Sequence, residues 1–83
     1  MAHEARVAPA SILIVDDERA ILDILVQFLT DRGYRVTAVE CAEDALRLVG
    51  RERFDAALIE LKLPDRAGIE LLAPFSEADP EMK

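Results

Sequence analysis

The sequence predicts an α/β fold built on a parallel sheet, and three observations carry that prediction. Short strand-like runs alternate with stretches of helical periodicity, as expected when helices cross over between parallel strands. The first run, Ser11-Ile12-Leu13-Ile14-Val15, is a short continuous apolar run with β-branched residues, as in a strand buried on both faces. The first and third runs stop at carboxylates (Asp16-Asp17 and Glu60), at the strand ends where open α/β sheets bind ligands, whereas the second is read as ending without one.

Taken in order, Ser11 to Val15 is the first strand. Glu18 to Arg32 is helical, with Ile21, Ile24, Leu25, Phe28 and Leu29 at core spacing, Asp17 or Glu18 placing negative charge at its start and Gly33 stopping it. Leu22, Val26 and Leu29 add a second apolar stripe, as on a helix covered on more than one side. Tyr34 to Val39 alternates weakly and is rich in β-branched residues, so it is the second strand. Ala42 to Arg51 is an amphipathic helix with Ala45, Leu46 and Val49 inward, and Phe54 to Leu61 is the third strand. A loop, Lys62 to Gly68, is punctuated by Pro64 and Gly68. Ile69 to Phe75 begins a third helix that Pro74 shortens or kinks, and the acidic tail Ser76 to Lys83 carries no strand.

Eighty-three residues make one domain, with residues 1–10 a polar arm and residues 11–83 the folded part. A net charge of -7 speaks against nucleic acid and against an anionic membrane surface, both of which call for clustered Lys and Arg. No apolar stretch approaches the ~20 residues that span a bilayer, and the arm lacks the apolar segment of a signal peptide. A single cysteine, Cys41, cannot cross-link the chain, which suits a reducing, cytoplasmic setting. With one histidine and no Gly-rich phosphate loop, no Ser/His/Asp set and no nucleotide cradle can form, so an enzyme is not expected. That histidine, His3, lies in the arm and is no candidate ligand. Cys41 falls at a helix N-cap position, where a redox-sensitive thiol is one reading, but a small residue filling a partly buried corner is the favoured one.

Asp16, Asp17 and Glu60 are expected to converge at one sheet edge although more than forty residues separate them. Carboxylates crowded together repel, and a divalent cation with a taste for hard oxygen ligands, such as Mg²⁺, relieves this. Asp17 taken alone would be an ordinary helix cap. The segments Ile12-Leu13-Ile14-Val15-Asp16-Asp17-Glu18 and Phe54-Asp55-Ala56-Ala57-Leu58-Ile59-Glu60-Leu61-Lys62-Leu63-Pro64-Asp65, with Gly68, resemble the receiver domain of bacterial two-component response regulators. The resemblance runs from Ser11 to about Leu72 and rests on the combined spacing. It implies a flavodoxin-like, three-layer fold, here truncated to about three βα units in strand order 2-1-3. It further implies that a residue ending strand three receives a phosphoryl group from a histidine kinase while Mg²⁺ neutralises charge. On that pattern Asp17 is the direct metal ligand and Asp16 its partner, Glu60 takes the phosphoacceptor position, and Lys62 contributes its backbone carbonyl.

Two departures stand out. Glu60 replaces the family's aspartate, and its extra methylene pushes the carboxylate toward the space of the phosphoryl group, which impairs in-line transfer. The longer side chain partly imitates the phosphorylated state with less charge. The sequence also ends before a fourth strand, so the Ser or Thr and the Lys that read the phosphoryl group in the family are missing, as in a fragment or a natural remnant. The expectation is a degenerate receiver in phosphorelay signalling that acts through protein contacts and binds Mg²⁺ weakly. Alternatives are a phosphoacceptor that still turns over, or a structural dimerisation element. The expected partners are a histidine kinase or other signalling protein and a second copy, paired through the strand-three edge Phe54 to Leu61 or through Leu22, Val26 and Leu29.

Overall fold

The structure, a computed structural model, describes residues 9–83; the arm beyond Pro9, including His3, lies outside the described residues. Ser11–Val15 forms β1, the middle strand, with Arg35–Val39 (β2) and Ala56–Ile59 (β3) on either side in the order β2-β1-β3. Both pairings are parallel: Ser11 to Val15 match Arg35 to Val39, and Ile12 to Val15 match Ala56 to Ile59. Arg19–Asp31 (α1) connects β1 to β2, and Ala42–Val49 (α2) connects β2 to β3. A 3₁₀ turn, Gly68–Leu71, leads into Leu72–Ala78 (α3).

β1 explains why the sheet holds. Its neighbours on both sides leave no edge, and Leu13, Ile14 and Val15 are at most 1 % exposed. Each fully buried side chain of this kind is worth about 1.5–3 kcal/mol. Alternation divides the strand between two faces. Leu13 and Val15 join Ala42, Ala45, Phe54, Leu71 and Phe75 in one core cluster beneath α2 and α3. Ile14 lies on the opposite face with Leu25 of α1 and Leu58 of β3. The result is three layers: α1, sheet, then α2 with α3.

α1 ends in a left-handed Gly33 (φ +93°), whose N–H donates to the Thr30 carbonyl while the Tyr34 N–H donates to Leu29. That pair of bonds is a Schellman stop, and it needs a residue without Cβ. The face of α1 differs from the one its periodicity suggests. Leu22 is its buried residue, Leu25, Val26 and Leu29 are half-buried, and Ile21, Ile24 and Phe28 are exposed. Leu22, Val26 and Leu29 are therefore the sheet-facing stripe rather than a surplus one. Spacing fixes that a helix has an apolar side, but two overlapping stripes leave its rotational phase open.

Smaller differences concern ends. β3 covers four residues rather than Phe54 to Leu61, although Phe54 is buried just before it. α3 runs on to Ala78, so the first part of the tail is helical. Pro74 is its third residue, in the first turn, where an N–H lacks an intrahelical partner anyway. At the outer edge of β3 the Lys83 N–H donates to Asp55 and the Ala57 N–H donates to Lys83, the bonding of a parallel bridge. The half of that edge nearest Asp55 is thus engaged by the last residue.

Candidate functional site

The β1–β3 register decides what meets at the carboxyl edge. Val15 pairs with Ile59, and the Glu60 N–H donates to the Val15 carbonyl at 2.8 Å, so Asp16 and Glu60 are the next residues of adjacent strands. Both line the mouth of the groove floored by Ile14, Val15, Leu25, Leu58 and Ile59. On the other side the Asp16 N–H donates to Val39, which brings Glu40 to the same edge. All three strands thus end beside carboxylates, and the second strand does carry one: Glu40, which the sequence offered directly after Val39.

The carboxylates are held differently. Asp16 Oδ1 accepts the Glu18 N–H at 2.9 Å, a local turn that sets the entry to α1. Asp17 is exposed. Glu60 is half-buried, and its Oε1 accepts the N–H of Leu61 at 2.7 Å, which folds the side chain back along its own backbone. Glu40 is bound by Arg19 at 2.7 Å, so the first turn of α1 is tied to the end of β2 by a charge-assisted bond. Among the described residues no three His, Cys, Asp or Glu side chains come together closely enough to hold an ion. The donor chemistry of Asp16, Asp17, Glu60 and the Lys62 carbonyl nevertheless fits a hard cation that keeps several of its waters.

Lys62 sits in a small hairpin. It pairs with Ala67 across an antiparallel bridge whose bonds are made by the flanking residues: Gly68 N–H to Leu61 O at 2.7 Å and Leu63 N–H to Arg66 O at 3.2 Å. Such a pairing does not use the Lys62 carbonyl. Gly68 roots the hairpin, since a Cβ there would lie 1.9 Å from the Glu60 carbonyl oxygen. Only glycine allows the backbone to pass so close behind the candidate phosphoacceptor.

The hairpin tip reaches α2. Asp65 Oδ1 accepts the Ala42 N–H and Oδ2 accepts the Glu43 N–H, each at 2.9 Å. The two amides, Ala42 first, hold the Asp65 carboxyl below its usual value, with Arg66 adding a little. Cys41, in the N-cap position, makes no side-chain cap bond. The cap of α2 therefore comes from 23 residues downstream. No local pattern announces that: Asp65 looks like one more turn residue beside Pro64.

A family model described as the response regulator receiver domain matches residues 12–83. The transcriptional regulatory protein GlrR of Escherichia coli is 34% identical over 74 residues, which is 89% of this chain and 17% of that protein. Among solved structures, the receiver domain protein (CheY-like) of Methanospirillum hungatei is 43% identical with a TM-score of 0.88, covering 90% of this chain and 60% of the other. A response regulator of Burkholderia pseudomallei, solved with a phosphorylated aspartic acid, calcium and citrate, is 30% identical with a TM-score of 0.85, covering 89% of this chain and 44% of that one. The chain thus spans less than a fifth of GlrR and less than two thirds of either structural relative.

Proposed function

The chain belongs to the response regulator receiver domain family, and from there we propose that it is a degenerate receiver, acting in two-component signalling through protein contacts rather than by accepting phosphate. The observation that supports this is Glu60. It stands at the carboxyl end of β3, abreast of Asp16, in the position that the receiver pattern gives to the phosphoacceptor, and the Burkholderia relative was solved with a phosphorylated aspartic acid. A glutamate there carries its carboxylate one methylene farther, and this one is turned onto the Leu61 amide. In-line transfer loses rate steeply with such misplacement. The carboxylate supplies a fixed negative charge in place of a switched one, though smaller than that of a phosphoryl group.

Asp16, Asp17, Glu60 and the Lys62 carbonyl would hold Mg²⁺ weakly, and the cation would neutralise charge in this crevice. Asp17, being exposed, keeps its oxygens available to such an ion. The partner is a histidine kinase or another signalling protein of the cytoplasm, and no helix among the described residues is long and apolar enough to cross a membrane. A second copy is a further partner. Exposed Ile21, Ile24 and Phe28 on α1, and exposed Leu58 on β3, are the apolar surface that favours it.

Incubation with a small-molecule phosphodonor and Mg²⁺ decides the central point. The intact mass is expected to stay unchanged, and a stable adduct mapping to Glu60 overturns the proposal.

A further inference from the structure

The hairpin after β3 is fastened at two points of different kinds. Its root is steric, because Gly68 passes behind the Glu60 carbonyl with no space for a Cβ. Its tip is polar, because Asp65 divides its two oxygens between the first two amides of α2. Between those points lie the two bonds that close the hairpin, Gly68 to Leu61 and Leu63 to Arg66, and the Lys62 carbonyl they leave aside. α2 itself is built on buried Ala42 and Ala45 within the main core cluster, so it is a rigid post for the tip.

We propose that Asp65 is a positioning residue: by clamping the hairpin tip to the N-terminus of α2, it sets where the Lys62 carbonyl stands relative to Asp16 and Glu60. The clamp works in both directions. It caps a helix whose own N-cap residue, Cys41, makes no cap bond, and it stops the hairpin from swinging away from the strand ends. A carboxylate suits this, since one oxygen serves each amide, whereas an amide side chain has a single acceptor oxygen for both. The low carboxyl pKa of Asp65 is the same contact seen from its charged form. The consequence for a bound cation rests on the metal site proposed above, while the clamp itself does not.

Amide hydrogen exchange on the full chain tests it. In Asp65→Ala, exchange at Ala42 and Glu43 is expected to rise about five- to tenfold, the size of a lost cap. The decisive amides are Leu63 and Gly68, which are expected to rise with them. Arg47→Gly weakens α2 by a comparable amount without touching Asp65, and there Leu63 and Gly68 are expected to stay protected. Adding Cys41→Ser to Asp65→Ala supplies a local cap and is expected to slow the α2 amides but not the hairpin amides. Unchanged Leu63 and Gly68 in Asp65→Ala, or equal opening of the hairpin in Arg47→Gly, overturns the proposal. Mn²⁺ line broadening at Asp17 and Lys62 gives the separate metal readout, expected to need several-fold more Mn²⁺ in Asp65→Ala. Wild-type protein that shows no broadening refutes the metal site, and hydrogen exchange still decides the clamp.

Discussion

The two faces of the sheet are finished to different degrees. Under α2 and α3, Leu13, Val15, Ala42, Ala45, Phe54, Leu71 and Phe75 form a closed core whose members are at most 4 % exposed. Under α1, Ile14 and Leu22 are buried, yet Ile24 is 66% exposed and Phe28 and Leu58 are each 48% exposed. The first face has its central side chains fully covered, although Leu72 on α3 remains 57% exposed. The second keeps apolar surface that a partner could remove from water, and Arg32 lies over the Phe28 ring at 3.9 Å. The side under α2 and α3 is thus covered by the chain itself, while the side under α1 is the surface proposed above for a partner.

The largest effect belongs to the closed face. Leu71→Ala is expected to cost roughly 2–5 kcal/mol, through lost burial and a cavity, as read by urea unfolding. Ile24→Ala on the open face is expected to cost under about 0.5 kcal/mol, as for a surface change. Equal costs would erase the distinction, and a concentration-dependent Ile24→Ala penalty would show that a second copy covers this face.

Next in size is association. Light scattering at micromolar concentration is expected to give a dimer, and Ile24→Lys is expected to return it to a species near 9.2 kDa. A wild type that already scatters as a monomer removes the second copy from the list of partners. A dimer indifferent to Ile24→Lys moves the contact to the β3 edge beyond Lys83, where backbone groups can pair with another strand.

Acid sharpens the comparison from the side of the closed face, because α2 is capped by Asp65. A carboxyl whose folded pKa is lowered stabilises the fold above its unfolded pKa, and that contribution fades as pH falls through the folded value. The α2 amides are expected to lose protection below about pH 4, the ordinary range of Asp. Asp65→Asn is expected to abolish the Asp65-dependent part of that loss, and an identical acid profile in the variant would detach the cap from Asp65.

The smallest effect is the exposed Arg19–Glu40 bond beside the open face. Arg19→Gln is expected to cost ~0–1 kcal/mol, and less in high salt. A larger, salt-resistant cost in chemical denaturation would mean that this rim is more deeply covered in solution.

Much of this was legible along the chain. The apolar run of β1, the helical spacing of α1 and α2 and the Gly33 stop are short-range signals, and each forms where the sequence places it. So does the parallel order β2-β1-β3. Asp16 and Glu60 could be named because each directly follows a strand. Glu40 carries the same signal, immediately after Val39, but at the end of a strand that alternates only weakly.

What the sequence alone determined is what depends on neighbours within a few residues: which segments are strands or helices, the alternation that makes the sheet parallel, and the carboxylates at two strand ends. What only the tertiary structure decided depends on residues distant in sequence. The rotational phase of α1 follows from docking on the sheet, mainly on β2, which buries Leu22 and leaves Ile24 out. The need for Gly68 follows from the Glu60 carbonyl passing 1.9 Å from where its Cβ would be. The cap of α2 follows from a loop that folds back to it, so Asp65 serves a helix that begins 23 residues earlier. Periodicity and propensity describe one element at a time, whereas a hydrogen bond or a clash between elements exists only once packing has brought them together.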